Sequence, residues 1–249
     1  MMAKPDFRVI GAPDAGTDLL VAGLRHRDAE LAAGPDPHAP YLLADFEGLR
    51  RLHERSPYVR LVAVLRDPVA RAYAHWSRMR AAGLETVDDF ERALAVEGDR
   101  TTAAWDWTWR YRALGCYGAQ LQRLTTLFTF GQVFLTPYAR LWTEPAVVLD
   151  QVARFVGLAG AAGAGDGIAG ASAGLPRVAR VRSQVPVGSG APVRSGAPAG
   201  DTAASGAAAW APARLDSGVA DRLRDHYSAD HLLLEQVTRR RWEFGPDPG

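Results

Sequence analysis

Two short segments of this 249-residue chain gather residue types that bind anions. The first, Phe7–Leu20 (FRVIGAPDAGTDLL), runs from an apolar stretch through a glycine-punctuated turn toward a helix. A turn of that kind aims the unpaired backbone N–H groups of the first helical turn at a bound anion. The spacing Gly11-x4-Gly16 matches the start of a nucleotide phosphate loop, but Thr17-Asp18 stands where Lys-[Ser/Thr] would follow, which disfavours nucleotide hydrolysis of that kind. Asp14 sets a carboxylate inside the same turn. The second segment, Val62–Ser77 (VAVLRDPVARAYAHWS), places Arg66 at the carboxyl end of an apolar run. A guanidinium there suits a second phosphate held by paired hydrogen bonds, or else a salt bridge with Asp67. Between the segments, in a Gly- and Pro-rich stretch, stands His38. Its ordinary pKa of about 6.5 suits proton abstraction at neutral pH, and a solvated loop histidine is the plainer alternative.

These residues need rigid elements to hold them. Apolar runs predict strands at Phe7–Gly11, Val59–Leu65 and Gln132–Thr136, the second apolar on both faces as in a buried parallel strand. Helices are predicted at Thr17–Arg25 with Thr17 as N-cap, at Phe46–Arg55, and from Asp67-Pro68 to about Ala82. Further helices are predicted at Val87–Val96, Trp105–Phe128 (broken near Gly115), Glu144–Val156 and Leu215–Arg241. Strands alternating with helices imply a parallel sheet with helices on its faces, an α/β fold whose ligands sit at the carboxyl ends of the strands. The organisation expected is a core over 1–158, an Ala/Gly/Pro-rich insertion over 159–213 and a closing helix over 214–249 completing the same domain. The insertion has almost no large apolar residues to offset its ordering entropy and reads as flexible, with an arginine cluster at Arg177, Arg180 and Arg182.

A formal net charge of +1 gives no global pull toward nucleic acid or an anionic membrane. A single cysteine, Cys116, excludes an intrachain disulfide and most cysteine metal sites. No apolar run approaches the length of a membrane span, and the first residues lack a charged-then-apolar signal pattern. The expectation is a cytoplasmic monomer or homodimer with no nucleic-acid, membrane or metal partner.

Taken together, VIGAPDAGTD at Val9–Asp18 and LRDPVARAYAHW at Leu65–Trp76 resemble the two phosphate-binding segments of the PAPS-dependent sulfotransferases, written IGAPKAGTT and LRDPVxRAYSxW in that family. PAPS is 3′-phosphoadenosine 5′-phosphosulfate, and PAP is the bisphosphate left after transfer. The heparan-sulfate N-sulfotransferase-like and bacterial branch is the most similar. Tyr111–Leu158 and Leu223–Val237 resemble later helix–strand–helix and C-terminal helix segments, so the likeness covers about Phe7–Leu158 and Leu215–Trp242. It implies a three-layer P-loop-type parallel sheet and metal-free, in-line transfer of a sulfuryl group from PAPS to a hydroxyl or amine of a small-molecule or saccharide acceptor. It also implies that Ala12, Pro13, Ala15, Gly16, Thr17 and Asp18 hold the 5′-phosphosulfate, and Arg66 and Ala74 the 3′-phosphate.

The departures bear on activity. The family's loop lysine falls on Asp14, which deletes a cation and adds like-charge repulsion worth roughly 4 kcal/mol at about 4 Å and an effective dielectric near 20. Asp18 replaces a hydroxyl residue. The 3′-phosphate serine falls on Ala74, forfeiting one hydrogen bond of about 1–1.5 kcal/mol, with Ser77 one turn on as a partial substitute. The N-sulfotransferase glutamate falls on Pro40, leaving His38, Asp45 and Glu47 as nearby bases, of which His38 is preferred. Asp14 and His38 are thus the catalytic candidates. His75 and Trp76 read as packing residues. Trp105, Trp107, Trp109 and Tyr111 read as a helix-packing core or an acceptor wall, and Arg177–Arg182 as linker charge or a cover over the 3′-phosphate. High Ala, Gly and Arg usage suggests a bacterial genome rich in GC and secondary-metabolite acceptors. The alternatives are PAPS-independent chemistry through Asp14, and a non-catalytic binding module.

Overall fold

The computed structural model describes residues 6–28, 31, 36–158 and 214–245. Arg177, Arg180 and Arg182, with the rest of the expected insertion, lie outside the described residues. Strands β1 (Phe7–Gly11), β2 (Arg60–Leu65) and β3 (Val133–Pro137) form a parallel sheet in the order β1-β2-β3. The register pairs Val9 with Val62 and Ala63 with Leu135, so β2 is the centre, and every residue of it after Arg60 is buried. On the free side of β1, Val9 N–H donates to Pro37 O and Ala39 N–H donates to Val9 O, each at 2.8 Å. This single parallel bridge, Val9 to His38, ties the segment around His38 to the sheet.

Nine α-helices appear among the described residues: α1 Thr17–Arg27, α2 Phe46–Arg55, α3 Pro68–Ala81, α4 Phe90–Ala95, α5 Glu97–Thr102, α6 Tyr117–Leu124, α7 Tyr138–Thr143, α8 Pro145–Val156 and α9 Ser217–Thr238. Pro68 occupies the first turn of α3 and the Asp67 carboxylate accepts Ala70 N–H at 2.8 Å, the capping arrangement that the Asp-Pro pair encodes. Two expectations are corrected. Trp105–Phe128 is not one broken helix: only Tyr117–Leu124 is α-helical, preceded by 3-10 turns at Trp107–Trp109 and Ala113–Gly115. The Glu97 carboxylate accepts Arg112 N–H at 2.8 Å and Ala113 N–H at 3.0 Å, drawing off donors that a continuous helix would use internally. The α1 N-cap is Gly16, in the left-handed region at φ 79°, and Thr17 is the first helical residue.

Two apolar clusters result. One surrounds the sheet and takes in α1, α2, α6 and α8; the other joins Val69, Ala72, Trp76 and Met79 of α3 to α4 and Tyr111. Helix α9 spans both, with Val219, Leu223 and Tyr227 in the second and Leu234 in the first. It is fastened to α6, where Asp230 accepts Gly118 N–H at 2.8 Å and Ala119 N–H at 2.9 Å and so caps the helix start. A Cβ on Gly118 would meet Asp230 O at 2.3 Å, so only glycine allows the two backbones this close.

Candidate active site

The carboxyl ends of all three strands converge on one place. Past β1 the chain turns through Ala12–Gly16 into α1, β2 ends at Arg66, and β3 hands over directly to Tyr138. Ala12, Pro13 and Ala15 are buried, which turns their side chains into the core and leaves the turn's backbone as its working surface. The N–H groups of Thr17, Asp18 and Leu19 precede the first i→i−4 bond of α1, from Leu20 N–H to Gly16 O at 3.1 Å, and can be satisfied by an anion. Gly16 meets two demands: its φ is +79°, and a Cβ there would lie 2.7 Å from the Tyr138 ring. The Arg66 guanidinium sits 5.0 Å from the centroid of that ring, and its Nη1 donates to Asp14 O at 2.9 Å. Arg66 is therefore clamped to the turn, while the carboxylate of its neighbour Asp67 caps α3.

Asp14 does not aim a bare negative charge into the turn. At φ 60°, a conformation that aspartate tolerates better than most residues, its carboxylate turns to α3. There Oδ1 accepts Arg78 Nε–H at 2.6 Å and Oδ2 accepts Arg78 Nη2–H at 3.0 Å. Burial pushes the Asp14 carboxyl upward, while the field of His75 when that ring is protonated, the Arg78 hydrogen bonds and the Arg78 and Arg71 charges pull it down, and the net direction is a lowered pKa. The repulsion expected at Asp14 is thus offset within the protein. The pair also removes Asp14 as a general acid or base near neutral pH, because its proton-free form is locked in place.

Arg78 was not a sequence-level candidate, although a signal for it existed. Arg71, His75 and Arg78 recur at i, i+4 and i+7 of α3 and share one face, about 100° round the helix from the stripe of Ala72, Trp76 and Met79. His75 is fully buried on that face, within 3.8 Å of Asp14 Oδ2, with Arg71 Nη1 at 3.3 Å from its Nδ1 and Tyr41 Oη at 3.4 Å from its Nε2. Burial first, and then the Arg71 and Arg78 charges, lower the His75 pKa to about 3 despite Asp14, so the ring is neutral. Because an unfolded histidine binds its proton near pH 6.5, neutral His75 favours the folded state above that pH. This contribution is lost progressively as pH falls toward about 3. The urea midpoint of the wild type is expected to fall between pH 6.5 and 4 more steeply than that of His75→Gln, and parallel slopes would refute the assignment.

His38 lies beside the same turn, as the bridge to Val9 requires. Its Nε2 is 2.8 Å from Thr17 Oγ1, which is itself 3.2 Å from Asp18 Oδ1. Burial lowers the His38 pKa more than Asp18 and Asp36 raise it, so the ring is a neutral proton acceptor at pH 7. The other base candidates are engaged elsewhere: Asp45 caps α2 through Gly48 N–H at 3.0 Å, and Glu47 pairs with Arg50 at 2.7 Å. Ala74 is half-buried on α3, and Ser77 is buried. Of the aromatic residues at 105–111, Tyr111 belongs to the second apolar cluster and Trp109 packs against it. Trp105 is 41% exposed and stacks edge-on to Trp109, Arg110 sits over Trp107, and only Tyr111 is fully buried. No helix among the described residues is long and apolar enough to cross a membrane.

The sulfotransferase domain family matches residues 49–167. Heparan sulfate glucosamine 3-O-sulfotransferase 6 of Homo sapiens is 24% identical over 185 residues, covering 62% of this chain and 52% of that protein. The 3B1 enzyme of Mus musculus is 25% identical over 183 residues, covering 62% and 46%. The bifunctional heparan sulfate N-deacetylase/N-sulfotransferase 2 of Homo sapiens is 26% identical over 104 residues, 41% of this chain and 12% of that one. The match thus spans about half the length of the 3-O-sulfotransferases. Among solved structures, a sulfotransferase from Alicyclobacillus acidocaldarius superposes with a TM-score of 0.68 at 18% identity, covering 97% of this chain and 98% of its own, which establishes the same fold.

Proposed function

We propose that this sulfotransferase-family chain transfers a sulfuryl group from PAPS to a hydroxyl or amine of a small-molecule or saccharide acceptor, without a metal. The observation that carries the reading is the convergence of the Ala12–Gly16 turn, the α1 N-terminus and Arg66 at the carboxyl ends of β1 and β2. The site fits the donor chemically. The first-turn N–H groups of α1 suit its 5′-phosphosulfate and the planar fork of Arg66 its 3′-phosphate, and Asp14 is neutralised by Arg78. The chemistry supplied by PAPS is an activated sulfuryl group, passed in line to the acceptor as the bond to the bridging oxygen breaks.

The chain's own part is to hold that oxygen's developing charge and to take the acceptor's proton. His38 is the base: it is neutral, it is fixed by the bridge to β1, and its Nε2 reaches the first residue of α1. The saccharide class of acceptor is supported by the names of the relatives, and a bacterial secondary metabolite by residue usage alone. The core over 1–158 and the closing segment from 214 make one domain in this reading, since α9 packs on α3 and α6. The protein is read as a cytoplasmic monomer or homodimer.

Calorimetry with PAP tests the donor: micromolar or tighter binding is expected, and no detectable binding at millimolar PAP would end the proposal. Release of PAP from PAPS in the presence of amino-sugar and phenolic acceptors then tests the base. His38→Gln is expected to bind PAP like the wild type yet lose most of the transfer rate, and an undiminished rate would remove His38 from the mechanism.

A further inference from the structure

We propose that Arg78 is a ligand-binding cation of the site, presented to the donor's 5′ anionic group by Asp14, which acts as a positioning residue. The inference rests on the PAPS reading given above. The turn between β1 and α1 carries no cation of its own; its one ionisable side chain before the helix is Asp14. Arg78 reaches that turn from the third helical turn of α3, so α3 crosses above the carboxyl ends of the strands.

The geometry of the pair is that of a held donor. Asp14 takes the Nε and Nη2 edge, and Tyr41 Oη lies 3.4 Å from Nη2, while among the described residues Nη1 meets the Met79 sulfur at 4.0 Å. A thioether is a weak acceptor, so the outer edge of the guanidinium keeps hydrogen-bonding capacity for an anionic oxygen. Exposure divides in the same sense: the Asp14 side chain is 11% exposed and the Arg78 side chain 39%. The carboxylate is the buried anchor and the guanidinium the face turned outward. Neutral His75 adds no charge, so Arg71 and Arg78 set two guanidiniums about the one Asp14 carboxylate.

The test is PAP calorimetry on Asp14→Asn, the near-isosteric double variant Asp14→Asn/Arg78→Gln, and Arg78→Lys, each checked for a native melting profile. The double variant removes both charges together, so no buried carboxylate is left unpaired. Asp14→Asn offers Arg78 one acceptor oxygen in place of two and so loosens the guanidinium, and it is expected to bind PAP at least about threefold more weakly than the wild type. The double variant is expected to bind about tenfold more weakly, about 1.4 kcal/mol, and with a shallower dependence on salt, because a charge that faces the ligand has gone. Arg78→Lys spends its one nitrogen on Asp14 and is expected to bind at least about threefold more weakly than wild type, which supplies the readout if the double variant fails to fold. A structural ion pair with no ligand role would leave all three variants within twofold of wild type, and that result overturns the proposal while leaving the PAPS reading standing. Failure of the wild type itself to bind PAP would instead take down the PAPS reading, and this inference with it.

Discussion

Arg66→Ala is expected to weaken PAP binding by about a hundredfold, about 2.7 kcal/mol. The magnitude follows from what Arg66 offers. A paired charge-assisted contact to one phosphate is worth about 1.5–3 kcal/mol, and the side chain is held for it before any ligand arrives. Its Nη1 hydrogen bond to Asp14 O and its place over the Tyr138 ring fix the guanidinium between the ends of β2 and β3, so little side-chain entropy is left to lose on binding. The same contacts mean that Arg66→Ala also loosens the turn, since Asp14 O loses a donor. Arg66→Lys separates the two effects: it keeps the charge and forfeits the fork, and an intermediate loss of about tenfold is expected. Arg50→Ala, on the exposed face of α2, serves as the control and is expected to bind like the wild type. Arg66→Ala binding PAP within threefold of wild type would remove Arg66 from the donor site.

Much of this arrangement is legible in the sequence where the determinant is local. The run VRLVAVL can be buried on both faces only as a central strand, and Asp67-Pro68 supplies both the cap and the first residue of α3. Glycine at position 16 announces the turn, though it also pre-empts Thr17 as the cap, because a left-handed residue there leaves Thr17 already helical. What depends on distant partners is not legible. Nothing near Asp14 in the chain foretells that its charge is matched by a residue 64 positions away. Nor do the residues around Trp105–Gly115 reveal that Glu97 takes two of the backbone donors a helix would need. The polar face of α3 is the intermediate case. Its i, i+4, i+7 spacing is plain, but a reading that treats His75 as packing stops short of asking what three polar residues on one face are facing.

That face is itself held from behind, and Glu85 is a site where a large stability effect is expected. The Glu85 carboxylate is fully buried and accepts Arg100 Nη1–H at 2.7 Å, Arg100 Nη2–H at 2.8 Å, Tyr111 Oη–H at 2.7 Å and Val87 N–H at 2.8 Å. Removing it strands the Arg100 guanidinium, 7% exposed, without its counter-charge, a change that costs roughly 3–5 kcal/mol in comparable buried pairs. Glu85→Ala should therefore lower the melting temperature by roughly 10 °C, whereas Glu91→Ala, whose pairing with Arg222 is exposed on both sides, should cost less than about 1 kcal/mol. The double change Glu85→Ala/Arg100→Met is expected to recover much of the loss, because it removes the stranded charge rather than a needed attraction. A Glu85→Ala variant within 1 kcal/mol of wild type would refute the assignment, taking 1 kcal/mol as about the ceiling of an exposed pair. The effect should also reach the anion site. Tyr111, freed from Glu85, is the residue whose carbonyl accepts a hydrogen bond from Arg71 and whose ring meets His75 edge-on at 5.2 Å. Through Arg71 and His75 it backs the Asp14–Arg78 pair, so the Glu85→Ala protein, assayed below its own melting transition, should bind PAP more weakly although Glu85 itself never touches the ligand.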